Sequence, residues 1–113
     1  MIQIKRIYED FNENDGARIL VDRLWPRGIS KEKAHLLLWL KEIAPSNELR
    51  NWFHHDSSKW KEFEKKYIQE LNKKPELLEQ LKKLEKVNKT ITLLYGAKDT
   101  EHNQAVVIAE LLK

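Results

Sequence analysis

Apolar and polar residues alternate along Ile2-Gln3-Ile4-Lys5-Arg6-Ile7-Tyr8, the period-two pattern of a half-buried strand. Glu9 to Gly16 is polar and turn-rich, with Asn12, Asn14, Asp15 and Gly16, and predicts a loop. A loop of this length also fits a hairpin, so the direction of the first strand against the second stays open. Ala17 to Asp22 carries a continuous apolar run, which predicts a strand buried on both faces. Ser30 is a good N-cap for a short helix from Lys31 to about Leu36. Leu37 to Ile43 is short, apolar and closed by Ala44-Pro45, and predicts a third strand. Ser46 caps the next helix, whose apolar face is Leu49, Trp52 and Phe53; His54-His55-Asp56 ends it. Trp60, Phe63, Tyr67 and Leu71 stripe a further helix, and Asp56 can cap it. Pro75 opens another helix, striped by Leu77, Leu78, Leu81 and Leu84 and closed by Asn88 and Lys89. Thr90 to Gly96 is the last strand, and Ala97 to Thr100 its exit turn. Asp99 or Thr100 caps a final helix from Glu101 to Lys113, apolar most of the way round. Strands mixed with helices predict an α/β domain: about four mainly parallel strands with flanking helices, in α/β/α layers.

The chain of 113 residues predicts one domain over residues 1–113. There is no Cys, which excludes disulfides, thiol nucleophiles and thiolate metal sites. No apolar run approaches the roughly 20 residues of a membrane span, and no secretory leader pattern opens the chain, so a cytoplasmic location without membrane partners is expected. Charged residues make up 35% of the chain, yet the formal net charge is only +3 because Lys and Glu are interleaved. That is the look of solvated helix faces and weak support for a nucleic-acid partner. Four Trp, at 25, 39, 52 and 60, predict a large aromatic cluster in the first two-thirds of the chain.

The candidate chemistry gathers where strands end. Asp22-Arg23-Leu24-Trp25-Pro26-Arg27-Gly28 follows the second strand directly. In open α/β sheets, ligands collect outside the carboxyl ends of strands. If the second and last strands are parallel neighbours, Asp22, Arg23, Trp25 and Arg27 come near Tyr95, Lys98, Asp99, His102 and Asn103. Arg is a bidentate clamp for phosphate or carboxylate. Asp22 or His102 is then the candidate catalytic proton-transfer group. Arg23, Trp25, Arg27, Tyr95, Lys98, Asp99 and Asn103 are the candidate substrate-binding residues, with Trp25 or Tyr95 stacking on a ring. Plainer roles compete: Asp22 and Arg23 pairing with each other or with backbone, Trp25 and Tyr95 as core, Asp99 as a helix cap, Arg27 and His102 as surface. His54-His55-Asp56 lacks the i, i+4 spacing of a helical metal pair, and no Walker loop, G-x-G-x-x-G, G-x-S-x-G or H-E-x-x-H is present. No metal and no cofactor are expected.

Leu20-Val21-Asp22-Arg23-Leu24-Trp25-Pro26-Arg27-Gly28-Ile29-Ser30-Lys31 resembles the signature of the YeaO-like family of bacterial and archaeal proteins. Further matches are Trp39-Leu40-Lys41-Glu42-Ile43-Ala44-Pro45-Ser46, Trp52-Phe53 with His55-Asp56, Leu93-Leu94-Tyr95, Lys98-Asp99 and Glu101-His102-Asn103. The resemblance spans nearly the whole chain. It implies a small cytoplasmic α/β protein and brings no established activity or catalytic residue. A longer branch of the same superfamily carries Cys-His-Arg where this chain has Glu101-His102-Asn103, so thiol chemistry does not carry over.

Three functions follow in order. The first is a pocket at the strand ends that binds, or acts on, a small anionic molecule. The second is a nucleic-acid-binding module using Lys, Arg and Trp25. The third is a protein-interaction domain that uses the final apolar helix, a homodimer included.

Overall fold

The computed structural model describes residues 1–113. Its four strands are β1 (Ile2–Arg6), β2 (Ala17–Leu20), β3 (Leu38–Trp39) and β4 (Ile91–Tyr95). Its five helices are α1 (Lys31–Ala34), α2 (Asn47–Phe53), α3 (Trp60–Asn72), α4 (Pro75–Asn88) and α5 (Gln104–Leu112). The sheet runs β1-β4-β2-β3 and every pair in it is parallel. The open question about β1 is thereby settled: β4 lies between β1 and β2, and no hairpin forms. This is the small parallel α/β fold that the pattern predicts.

β2 and β4 fill the centre, and all their residues are buried. Alternation along each sends side chains to two unequal cores. Ala17, Ile19, Val21, Ile91, Leu93 and Tyr95 join the larger one, with Leu49 and Phe53 of α2, Phe63, Tyr67 and Leu71 of α3, Leu81 of α4 and most of α5. Leu20 and Leu94 face the other way, into a small cluster with Ile7 and Ala34, under Trp25, Ile29, Leu36 and Trp39. The helical layer is thick on one face and thin on the other.

Several boundaries differ from the pattern. The strand expected over Leu37 to Ile43 pairs only at Leu38 and Trp39; Lys41–Ile43 is a 3₁₀ turn. Ile43 is still fully buried, and its carbonyl accepts the Tyr67 hydroxyl at 2.6 Å. An apolar residue needs burial, not strand pairing, and here a turn supplies it. α1 ends at Ala34 rather than Leu36, with His35 in the left-handed region at φ 49°. α5 begins at Gln104, and its cap is Asn103, whose Oδ1 accepts the Val106 N–H at 3.2 Å. Asp99 and Thr100 do not cap it. The apolar face of α5 is covered by this chain's own β1, β4 and α3. No helix is long and apolar enough to cross a membrane.

The four Trp do not form one cluster. Trp25 and Trp39 meet edge to face at 5.3 Å on the thin side of the sheet. Trp60 stacks on Phe63 at 5.5 Å on the thick side. Trp52 lies apart from both pairs, beneath the ammonium groups of Lys59 and Lys66.

A second polar feature sits behind the thin face. Arg18, only 1% exposed, points out of β2 and pairs with the buried Asp15 at 2.5 Å, while Lys5 reaches the same carboxylate at 3.1 Å. Burial alone would raise the Asp15 pKa. The Asn12 N–H and the Lys5 and Arg18 cations more than offset this and hold it below the usual range. The loop before β2 is thus anchored by charge, and Gly16 completes it at φ 63°, where a Cβ would lie 2.2 Å from the Thr90 carbonyl oxygen.

Candidate functional site

Because β2 and β4 are parallel neighbours, their exits meet. The Val21 N–H donates to Leu94 O at 3.0 Å, and the next side chain, Asp22, turns across to β4. Its Oδ2 accepts the Gly96 N–H at 2.8 Å, and its Oδ1 accepts the Gln104 side-chain amide from the start of α5. Gly96 permits this approach: a Cβ there would sit 2.9 Å from Asp22 Oδ2. Burial pushes the Asp22 pKa from 3.8 up to about 6, although the Gly96 and Gln104 hydrogen bonds and the nearby Arg50 cation all favour the ionised form. Desolvation wins because the carboxylate has lost most of its water and gained only two donors.

A cavity of about 460 Å³ opens above this junction, lined by Asp22 and Arg23 after β2, Ala44 and Pro45, residues of α2 and the turn behind it, and Gly96, Ala97, His102, Asn103 and Gln104. Phe53 and Phe63 contribute apolar wall. Two guanidinium groups belong to it. Arg23 donates to the carbonyls of Ala44 at 3.0 Å and Pro45 at 3.4 Å. Arg50, from α2, donates through Nη2 to Asn47 Oδ1 at 2.8 Å, and its buried Nε has no partner in the protein. An unpaired buried donor is uncommon and asks for an acceptor.

Two imidazoles stand at the mouth. α2 ends at Phe53, and His54 occupies the left-handed position that closes a helix, φ 45° and ψ 42°, its N–H bonded to the Arg50 carbonyl at 2.8 Å. His55 follows at φ 55°. Glycine is the easy residue at such a position. Two consecutive left-handed histidines, both exposed and both on the cavity wall, hold an unfavourable backbone where a glycine would relax it.

The third imidazole is fixed from behind. Asp99 Oδ1 accepts the N–H groups of Glu101 at 2.9 Å and His102 at 3.0 Å, and its Oδ2 lies 2.8 Å from His102 Nδ1. The Glu101 N–H and then the His102 imidazole hold the Asp99 pKa below the usual carboxylate range. The edge contact of His102 with Trp60, 5.2 Å between ring centres, braces the other side. The Asn103 amide donates to the Asp99 carbonyl at 2.9 Å and locks the turn.

Of the residues singled out by sequence, the cavity wall brings together Asp22, Arg23, His102 and Asn103. Asp99 touches it only through His102. The other four lie elsewhere. The Trp25 indole N–H donates to Ile29 O at 2.7 Å and the ring packs on Trp39, away from the cavity wall. Arg27 is exposed, and only its carbonyl is used, by the Tyr8 hydroxyl at 2.9 Å. Tyr95 is 2% exposed and points into the large core, one residue before the junction. Lys98 is exposed on the turn. Arg50, His54, His55 and Gln104 were not legible as site residues. Arg50 sits mid-helix with no motif around it, and His54-His55-Asp56 read as a helix end that lacks the spacing of a metal pair.

The whole chain, residues 1–113, matches the family model described as the inactive DUF488-N3 subclade. It is 45% identical over 112 residues to the uncharacterized protein YeaO of Escherichia coli, covering 99% of this chain and 96% of that one. It is 39% identical over 111 residues to uncharacterized proteins of Mycobacterium tuberculosis and Mycobacterium bovis, covering 98% of this chain and 92% of each relative. No solved structure matches it. On both the family model and the identity to YeaO, the chain belongs to the DUF488-N3 family, in the YeaO-like branch described as inactive.

Proposed function

We propose that the protein is a receptor for a small anionic molecule, phosphate- or carboxylate-bearing, drawn from the cytoplasmic pool and held in the cavity above β2 and β4. The observation that carries this reading is the unpartnered buried Nε of Arg50, in a cavity whose wall also holds Arg23 and three imidazoles against a single carboxylate. A guanidinium with an unsatisfied donor, sharing a cavity with a second guanidinium, suits a planar or tetrahedral oxyanion. The volume, about 460 Å³, leaves room for an organic body beyond the anionic group, and Phe53, Phe63 and Pro45 offer it an apolar wall. Binding needs no turnover, which agrees with the family's description as inactive.

A thermal-shift panel of phosphate, sulfate, sugar phosphates, nucleotides and carboxylic acids tests it. A ligand at 100 times its Kd adds about 2.7 kcal/mol to the native state. The expected result is a shift for one anionic class that disappears in Arg50→Ala and survives in Arg27→Ala, since Arg27 lies outside the cavity. No shift with any anion, or one equally lost in Arg27→Ala, would overturn the reading.

A further inference from the structure

Building on the anion-binding reading above, we propose that His102, its tautomer fixed by Asp99, selects a ligand with a hydroxyl beside its oxyanion. Such a ligand is a hydroxy acid or a polyol phosphate, and the corresponding keto compound is rejected.

The cavity is rich in donors, since Arg23 and Arg50 both belong to it and the Arg50 Nε is unpartnered. Its acceptors are mostly engaged. Asp22 takes the Gly96 N–H on one oxygen and the Gln104 amide on the other. Asn103 Oδ1 takes the Val106 N–H, and the Ala44 and Pro45 carbonyls take Arg23. His102 differs. Its Nδ1 lies 2.8 Å from Asp99 Oδ2. The Asp99 carboxyl, held below the usual range, is ionised and can only accept, which assigns the ring proton to Nδ1. Nε2 then presents a lone pair, in the cavity wall and without a protein donor. His54 and His55 have no carboxylate beside them, so their rings can turn either a donor or an acceptor to a ligand.

The direction of that lone pair is fixed as well. Two backbone N–H groups hold Asp99, and the ring meets Trp60 edge on at 5.2 Å. An anionic oxygen or a carbonyl facing Nε2 would set acceptor against acceptor. A hydroxyl can donate to it while the guanidinium groups hold the oxyanion. A site that hydrogen-bonds a hydroxyl discriminates against the analogue without one, because its own polar group is left unpaired. The His102 side chain is 31% exposed, so water can serve the lone pair in part, and a preference of about tenfold is expected rather than the far larger ratios of dry sites.

Isothermal titration calorimetry at pH 8 tests this with two pairs: lactate against pyruvate, and glycerol 3-phosphate against dihydroxyacetone phosphate. Within each pair a hydroxyl is replaced by a carbonyl, which accepts but does not donate. The hydroxyl member of one pair should bind about tenfold more tightly, and the pair that shows this tells a carboxylate ligand from a phosphate. Asp99→Asn keeps an oxygen for the Glu101 and His102 N–H groups but turns an amide N–H toward Nδ1, which moves the ring proton to Nε2. The preference should then vanish or reverse with the melting temperature unchanged; a residue that only shaped the turn would not alter which ligand is preferred. His102→Phe keeps a ring against Trp60 and should bind both members equally, and it decides the matter if Asp99→Asn does not fold. Equal affinity within both pairs, or binding of inorganic phosphate but of neither pair, would overturn the inference and leave the receptor reading standing. A preference retained in either folded variant would also overturn it. If neither the pairs nor inorganic phosphate bind the native protein, both readings fall.

Discussion

Replacing Asp22 by Asn should stabilise the protein at neutral pH. Burial holds the Asp22 carboxyl at about 6 against a usual 3.8. At roughly 1.4 kcal/mol per pH unit, the ionised group costs the folded state about 3 kcal/mol at pH 7. The sign follows from proton binding. Between pH 4 and 6 the folded chain holds a proton that the unfolded chain has released, so stability falls as pH rises through that window. Below about 4 both states are protonated and the penalty is absent; above about 6 it is complete. Asn is uncharged and keeps an oxygen for the Gly96 N–H, while the Gln104 amide must turn to offer its oxygen to the new N–H group. A net gain of about 1–2 kcal/mol at pH 7 is expected, which for a domain of this size is roughly 4–8 °C. Chemical denaturation of both proteins from pH 3.5 to 7.5 reads this directly. The variant should be about 1 kcal/mol less stable than the native protein at pH 4, where only the cost of the turned amide remains, overtake it as pH rises and level off above about 6. Asp15 and Asp99, held low, change the slope equally in both proteins and cancel in the difference. A variant less stable than the native protein at pH 7, or a difference flat with pH, would refute the reasoning. A confirmed gain would mean that an ionisable group is kept at the strand exit against the interest of stability, as expected of a site that works on ligands.

Two further substitutions probe separate parts of the account. Asp15→Ala should destabilise by about 3–5 kcal/mol in urea denaturation, because Arg18, 1% exposed, would keep its charge with no carboxylate beside it. His54→Gly should gain about 0.5–1 kcal/mol by relaxing the left-handed position after α2, while any anion-induced thermal shift becomes smaller; a loss of stability would show that the histidine is structural.

The parts of this fold that were legible in sequence are those set by short-range pattern. The alternation of Ile2 to Tyr8 and the apolar runs of β2 and β4 are periodic signals, and each strand stands where the pattern puts it. Asp22 was legible as a site residue because it follows a doubly buried strand, and the adjacency of β2 and β4 was the inference on which the site depended. What local pattern could not carry was side-chain direction. Trp25 and Arg27 share a turn with Arg23, yet the turn sends Trp25 onto Trp39 and Arg27 into solvent. Asp99 carries a true capping signal, but the turn it caps is a single one that orients His102, and the helix waits for Asn103. Arg50 and the left-handed pair His54-His55 become site residues only when α2 packs beside the β2 exit, a tertiary fact without a local signature. Leu40 and Ile43 extended the apparent strand because burial in a 3₁₀ turn leaves the same apolar mark as burial in a sheet.

The central claim is that the junction of β2, β4 and α5 binds an oxyanion. Amide NMR of the ¹⁵N-labelled protein, titrated with inorganic phosphate, tests it most directly. The account predicts saturable shifts concentrated at Gly96, Ala97, Asn103 and Gln104 and at the α2 end from Arg50 to His55, all absent in Arg50→Ala. Shifts confined to the lysine-rich surfaces of α3 and α4, or none that saturate, would contradict it.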